Sequence, residues 1–345
     1  MNPNWEIDMA GALEISAPAN AGSGNGAGVN QFRPDGSLRH LLTLEGFTQD
    51  QIQALLDRAQ GFVRTLGRRP PARHSLQGVT VANLFTEPST RTRVSFELAA
   101  KRLGADVVNL EVQLSSRVKG ESMLDTVFTL ESLHVDVMVI REAEVGVLDL
   151  VASNVAPHVS VLSAGEAHVS HPTQGLLDAL TVRQYKKRFD NLSIAIVGDI
   201  QHSRVARSAY HVFRALGVPD LRIVAPPAFM PKPDEFVGCS RHAALRTGLK
   251  DVDVIMMLRI QKERMTHAAL PDADRYFAKY GLTPERLAVA KPDAIVMHPQ
   301  PMNRGIEIAS DVADGPQSVI RTQVRNGVAV RMAVLEAVME QVTVE

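Results

Sequence analysis

Five consecutive residues, Ser89, Thr90, Arg91, Thr92 and Arg93, hold the parts that an oxyanion needs. Ser89 and Thr90 bring hydroxyls, Arg91 a guanidinium fork, and the helix start implied by the following residues brings free backbone N–H groups. Taken alone, the same five residues also fit a capped helix with solvated arginines. Arg141 changes the weighing, because it follows the apolar run Val135 to Ile140. A guanidinium there needs an anion, either a carboxylate of the protein or a ligand. With Lys119, Arg91 and Arg141 would bring three positive charges to one site in a chain whose formal net charge is −1.

His171, Pro172, Thr173 and Gln174 stand just before a helical stretch. His168 and His171 suggest a metal pair, but Pro172 and the lack of nearby acidic ligands spoil that geometry. His171 reads instead as a hydrogen-bond donor to a polarised carbonyl, with Gln174 one turn further on reaching the same small group. Arg204, Arg259 and Gln261 follow later strands and suit a substrate with two carboxylates. The competing reading is ion pairing within the chain, Arg259 with Glu263 or Asp199 with Arg204.

The elements that must position these residues show as alternation. Apolar runs at Val79 to Phe85, Asp106 to Leu110, Val135 to Ile140, Val159 to Ser163, Ser193 to Val197, Leu221 to Val224, Val252 to Leu258 and Ala294 to Met297 are separated by helical patterns. The helices fall near 90–103, 121–134, 175–188, 204–216 and 284–290, after a first one opened by a Thr48 and Gln51 capping box, with Ile52, Leu55, Leu56 and Phe62 on one face. Strands apolar on both faces imply parallel sheets covered by helices. Eight such strands could close a single barrel; the long helix near 174–189 divides them four and four and favours two doubly wound domains. Ligands of open parallel sheets bind outside the carboxyl ends of the strands, and there the chain is polar and mostly cationic.

A length of 345 residues also asks for two domains. The expected division is a flexible extension over 1–36, a first domain over 37–173, a second over 174–317, and a last helix, 318–341, packing back on the first. Within the extension, residues 17–29 read as a glycine-rich linker. Its Gly22, Gly24 and Ala27 match a dinucleotide fingerprint but lack the flanking strand and helix. Ahead of it, Trp5, Ile7, Met9, Leu13 and Ile15 fit either a disordered tail or a docking segment. The near-zero net charge argues against nucleic-acid or membrane-surface binding. A single cysteine, Cys239, allows no intrachain disulfide and no structural zinc site, which fits a reducing cytoplasm. No run reaches the roughly 18 apolar residues of a membrane helix, and Met1 to Ser16 lack the pattern of a signal peptide.

In combination these residues resemble the aspartate carbamoyltransferase family, specifically its bacterial catalytic chains with an N-terminal extension. The likeness runs from about Leu41 to Glu340 through Phe85 to Arg93, Lys119 to Glu121, His171 to Gln174, Gly198 and Asp199, Arg259 to Arg264, and His298 to Pro301. The resemblance implies a carbamoyl-phosphate domain and an aspartate domain. Carbamoyl phosphate would pass its carbamoyl group to L-aspartate for pyrimidine synthesis, with no cofactor, metal or covalent intermediate. It implies that Ser89, Thr90, Arg91 and Thr92 hold the phosphate and that Arg141 bridges phosphate and carbonyl oxygen. His171 and Thr92 would polarise that carbonyl, Gln174 would orient the carbamoyl amide, and Arg204, Arg259 and Gln261 would bind aspartate. Ser115 and Lys119 match positions that enter the active site from a neighbouring chain of a homotrimer, and closure of the two domains over the substrates is expected. Gln300 stands where the family often has leucine; the backbone carbonyls of Pro299 and Gln300 would still accept hydrogen bonds. The extension is similar to that of forms that associate with a dihydroorotase-like partner.

Three other readings are weaker. An ornithine carbamoyltransferase shares the phosphate turn and His171 to Gln174, but would carry an Asp, a Ser-Met-Gly stretch and Cys-Leu-Pro where this chain has Arg259, Ile260, Gln261 and Met297, His298, Pro299. A catalytically silent subunit would lack Arg91, Arg141, His171 or Lys119. A nicotinamide dehydrogenase would need the full glycine fingerprint at Gly198.

Overall fold

Short β-branched runs that are apolar on both faces are stable only with both faces covered, so all but one of the strands here are followed by an α-helix. The structure, a computed structural model of the chain, describes residues 29–64, 73–111, 122–260 and 273–340. In chain order its elements are α1 (Gln49–Phe62), β1 (Thr80–Phe85), α2 (Thr90–Leu103), β2 (Asp106–Glu111), α3 (Met123–Ser132), β3 (Val137–Glu142), α4 (Val147–Asn154), β4 (Ser160–Glu166), α5 (Pro172–Lys186) and β5 (Ser193–Val197). There follow α6 (Arg204–Ala215), β6 (Asp220–Val224), β7 (Ser240–His242), α7 (Leu245–Gly248), β8 (Val254–Met257), α8 (Ala273–Tyr280), α9 (Pro284–Leu287), β9 (Ile295–Met297), α10 (Ser310–Ala313) and α11 (Ile320–Met339).

Two open sheets result, ordered β2-β1-β3-β4 and β7-β6-β5-β8-β9, and every pairing within them is parallel. The doubly wound form is therefore the one adopted, not the single barrel. All eight expected runs are strands. The ninth, β7, was not expected: Ser240, Arg241 and His242 are polar and sit at a sheet edge, where Ser240 and Arg241 are both exposed and no apolar pattern is required. Helices α4, α7, α8 and α10 were also unforeseen; each has only four to eight residues and too few turns to show a period.

Alternate side chains of each sheet enter different cores. Val81 and Phe85 of β1, Val137 and Val139 of β3, and Ile194, Ile196, Val254 and Met256 of the second sheet all belong to one continuous apolar cluster. Ala82, Leu84, Met138 and Ile140 face a separate cluster under α3 and α4, and Ala195, Val197, Ile255 and Met257 a third. α5 runs through the shared core and α11 packs on α1, α2 and α5. Gly175 lets α5 lie close against α6, since a Cβ there would lie 2.8 Å from the Ser208 carbonyl oxygen of α6.

Candidate active site

Each sheet has one place where the strand order reverses, between β1 and β3 and between β5 and β8. Crevices form at such points, and both open into a single cavity of about 620 Å³. At the first, Phe85 is in register with Arg141, and the Thr86 N–H and hydroxyl both donate to the Arg141 carbonyl at 3.0 Å. This pairing fixes the turn before α2 beside the Arg141 side chain. At the second, the Leu258 N–H donates to the Val197 carbonyl at 2.8 Å, setting Arg259 next to the turn that leads through Gly198 into α6 and Arg204.

Ser89 is the N-cap residue of α2, yet its side chain makes no capping hydrogen bond. Ser89 and the first turn of the helix line the cavity with that hydroxyl left uncommitted as a cap, as an anion site requires. Desolvation, and then the Arg259 guanidinium across the cavity, lower the Arg91 pKa from its ordinary value.

Glu87 joins the two halves. Its Oε2 lies 3.0 Å from Arg141 Nη2 and 3.1 Å from Arg204 Nη2. Arg204 Nη1 also donates to the Ala167 carbonyl at 3.0 Å, and Arg141 Nη1 to that of Ala164 at 3.3 Å. Gly165, at φ +118°, lets both guanidiniums lie against the backbone; a Cβ there would be 3.1 Å from Arg204 Cζ and 3.2 Å from Arg141 Nη1. The anion that Arg141 needs is thus met by a protein carboxylate in this structure. Arg204 pairs with Glu87 rather than Asp199, whose Oδ1 is 2.9 Å from His202 Nδ1.

His171 precedes α5, its N–H donating to Ser208 Oγ at 2.8 Å. Its ring is buried, and Nδ1 has no hydrogen-bond partner among the described residues. Desolvation, followed by the positive charges of Arg204, Arg331 and Arg141, holds the imidazole well below its usual pKa, hence neutral. A neutral imidazole still donates one N–H to a developing oxyanion. Next to it, Gln174 Nε2 donates to Asp178 Oδ1 at 2.9 Å.

Every expected site residue within the described segments lines this cavity: Ser89, Thr90, Arg91 and Thr92 from the α2 turn, Arg141, His171 and Gln174, then Arg204, Arg259, Pro299 and Gln300. Ser115, Lys119, Gln261 and Glu263 lie outside the described residues, as do residues 1–28.

Four contributors escaped the sequence reading. Gln323, Gly327 and Arg331 recur every four residues on one face of α11 and form part of the cavity wall. Arg331 is buried, donates from Nη1 to the Gly327 carbonyl at 2.9 Å and stacks 4.9 Å above the Phe96 ring. Desolvation lowers its pKa to about 10. Gly327 makes room for it, since a Cβ would stand 2.7 Å from Arg331 Nη1. The fourth is Asp178. Its signal was α5 itself, where Leu176, Leu177, Ala179, Leu180 and Val182 leave no polar stripe and so force Asp178 inward.

Comparison with known proteins bears on the fold and the family. The family model described as the carbamoyl-P binding domain of aspartate/ornithine carbamoyltransferase matches residues 39–184, and the Asp/Orn binding domain model matches 190–338. Aspartate transcarbamoylase from Trypanosoma cruzi, solved with carbamoyl phosphate and aspartate, superposes with a TM-score of 0.77 at 33% identity, over 87% of this chain and 96% of that one. The same enzyme with carbamoyl aspartate and phosphate gives 0.77 at 33%, over 87% and 95%. Ornithine carbamoyltransferase from Pyrococcus furiosus gives 0.78 at 29%, over 88% and 98%. With a cavity rimmed by arginines at two strand-order reversals and both domain models matched in sequence order, the chain belongs to the aspartate/ornithine carbamoyltransferase family.

Proposed function

We propose that this chain transfers the carbamoyl group of carbamoyl phosphate to the α-amine of L-aspartate, giving N-carbamoyl-L-aspartate and phosphate, an early step of pyrimidine synthesis. The observation that carries this reading is the meeting, in one cavity, of the Ser89 to Thr92 turn, Arg141, His171 and Gln174 with Arg204 and Arg259. The first group suits a phosphate bearing a small polar acyl group, and the second suits two carboxylates.

The amine nitrogen attacks the carbonyl carbon, a C–N bond forms, the C–O bond to phosphate breaks with its electron pair going to the phosphate oxygen, and the departing phosphate takes the proton that the amine loses. The acyl phosphate is already activated, so the protein aligns two anions and stabilises charge on the carbonyl oxygen. Ser89, Thr90 and Arg91 hold the phosphate, Arg141 reaches phosphate and carbonyl oxygen, and Thr92 and neutral His171 donate to that oxygen. Gln174 and the carbonyls of Pro299 and Gln300 face the nitrogens. Arg204, Arg259 and Gln261 take the aspartate carboxylates, Arg204 being shared with Glu87.

Ser115 and Lys119 are assigned to a neighbouring chain's site in a homotrimer. In support, edge strand β2, which precedes them, carries exposed Val108, and adjoining α2 exposes Val94 and Leu98, an apolar strip suited to self-association. The test offers the full chain carbamoyl phosphate with either L-aspartate or L-ornithine and identifies the product. Carbamoyl-aspartate is expected; citrulline alone overturns the assignment.

A further inference from the structure

Asp178 is fully buried in α5, and two glutamine amides converge on its Oδ1. Gln174 Nε2 donates to it at 2.9 Å, and so does Gln323 Nε2 of α11, also at 2.9 Å. Oδ2 has no hydrogen-bond partner among the described residues. From Gln323 the chain of bonds continues into the turn after β9. Gln323 Oε1 accepts the His298 N–H at 2.9 Å, and His298 Nδ1 accepts the Gln300 N–H at 2.9 Å. His298 therefore carries its proton on Nε2, 3.1 Å from Glu307 Oε1.

Each link has one workable polarity. Backbone N–H groups only donate, so Gln323 must turn its oxygen to His298 and its NH₂ to Asp178. Oδ1 likewise accepts, in the carboxylate and in an acid that carries its proton on the unpartnered Oδ2, so Gln174 must turn its NH₂ to Asp178 and keep Oε1 for the cavity. A cavity oxygen at that point accepts an N–H and offers nothing to a methyl group.

We propose that Asp178 is a positioning residue that makes the site prefer a carbamoyl over an acetyl group, by locking Gln174 oxygen-inward. The same carboxylate anchors the turn that presents the Pro299 and Gln300 carbonyls, so the acceptors facing both nitrogens share one support. Burial pushes the Asp178 carboxyl up to about 7; the arrangement holds in either state, because a proton on Oδ2 leaves Oδ1 an acceptor. The inference rests on the reading of Gln174 as the carbamoyl contact.

The test compares the KM for carbamoyl phosphate with the inhibition constant of acetyl phosphate, which has a methyl in place of the amide, in full-length wild type, Asp178→Asn and Asp178→Ala. Asp178→Asn keeps an oxygen where two donors converge and is expected within about threefold of wild type on both. Asp178→Ala is expected to weaken carbamoyl phosphate about tenfold, the scale of one hydrogen bond, and acetyl phosphate by less than about threefold. Should Asp178→Ala fail to fold, Asp178→Ser, whose hydroxyl is too short to reach both amides, is read by the same ratio. Equal weakening of both acyl phosphates, or Asp178→Asn behaving as Asp178→Ala, overturns the proposal. Wild type that turns over carbamoyl phosphate with neither amine sinks the functional reading instead, so the two failures are distinguishable.

Discussion

On the wall built from the first sheet, one contiguous turn supplies hydroxyls, helix N–H groups and Arg91, and its register with Arg141 is set by backbone hydrogen bonds. On the wall built from the second sheet, Arg204 and Arg259 follow different strands, and the Arg204 guanidinium is held by groups of the first half, the Ala167 carbonyl and Glu87. The first wall is complete by local geometry, whereas the second depends on the first for the placement of one of its cations. Glu87 is the hinge of that dependence, because a single carboxylate oxygen balances one arginine from each side.

The largest effect that separates the walls should come from His171→Ala. On the proposed mechanism this variant removes a donor to the reacting oxygen but leaves the Ser89 turn untouched, so kcat is expected to fall about 10²- to 10³-fold while inorganic phosphate inhibits as in wild type. An unchanged kcat would take His171 out of the chemistry. Glu87→Gln comes next. It removes the shared negative charge, so phosphate should bind about two- to threefold tighter as the first wall becomes more positive, while the aspartate KM rises about tenfold as Arg204 loses its support. Loss of affinity for both ligands alike would mean that Glu87 merely holds the fold. Gly165→Ala is the mildest: the added Cβ presses on both guanidiniums at a backbone angle that L side chains rarely adopt. Both KM values should rise together by about threefold, with a drop of about 1 kcal/mol in stability on denaturant unfolding. A change confined to one substrate would show that the walls are less tightly joined than the Gly165 contacts indicate.

The same contrast explains what the sequence disclosed. The Ser89 turn and the β1 and β3 runs are local patterns, with chemistry and periodicity in adjacent residues, and they are readable without the fold. The capping box at Thr48 is a further case, present as expected with bonds of 2.9 and 3.3 Å. Glu87 was visible in the motif, but its bridge joins residues 54 and 117 positions away, which no spacing rule connects. Arg331 lies more than 150 residues from His171, and its four-residue spacing from Gly327 looks like ordinary helix sequence until the guanidinium folds back over the glycine. β7 stayed hidden because an edge strand needs no apolar alternation.

The return of α11 to α1, α2 and α5 bears on the order in which the molecule can be made. Synthesis runs from the amino end, and domains tend to fold as they emerge. Here the first half leaves the ribosome without its final wall. Phe96, Ala99 and Leu176 wait for Val330, Ala333 and Val334, which are encoded after the whole second sheet. The nascent first half must therefore stay soluble with part of its core uncovered, and the cavity receives Gln323 and Arg331 only once the last helix is free to dock.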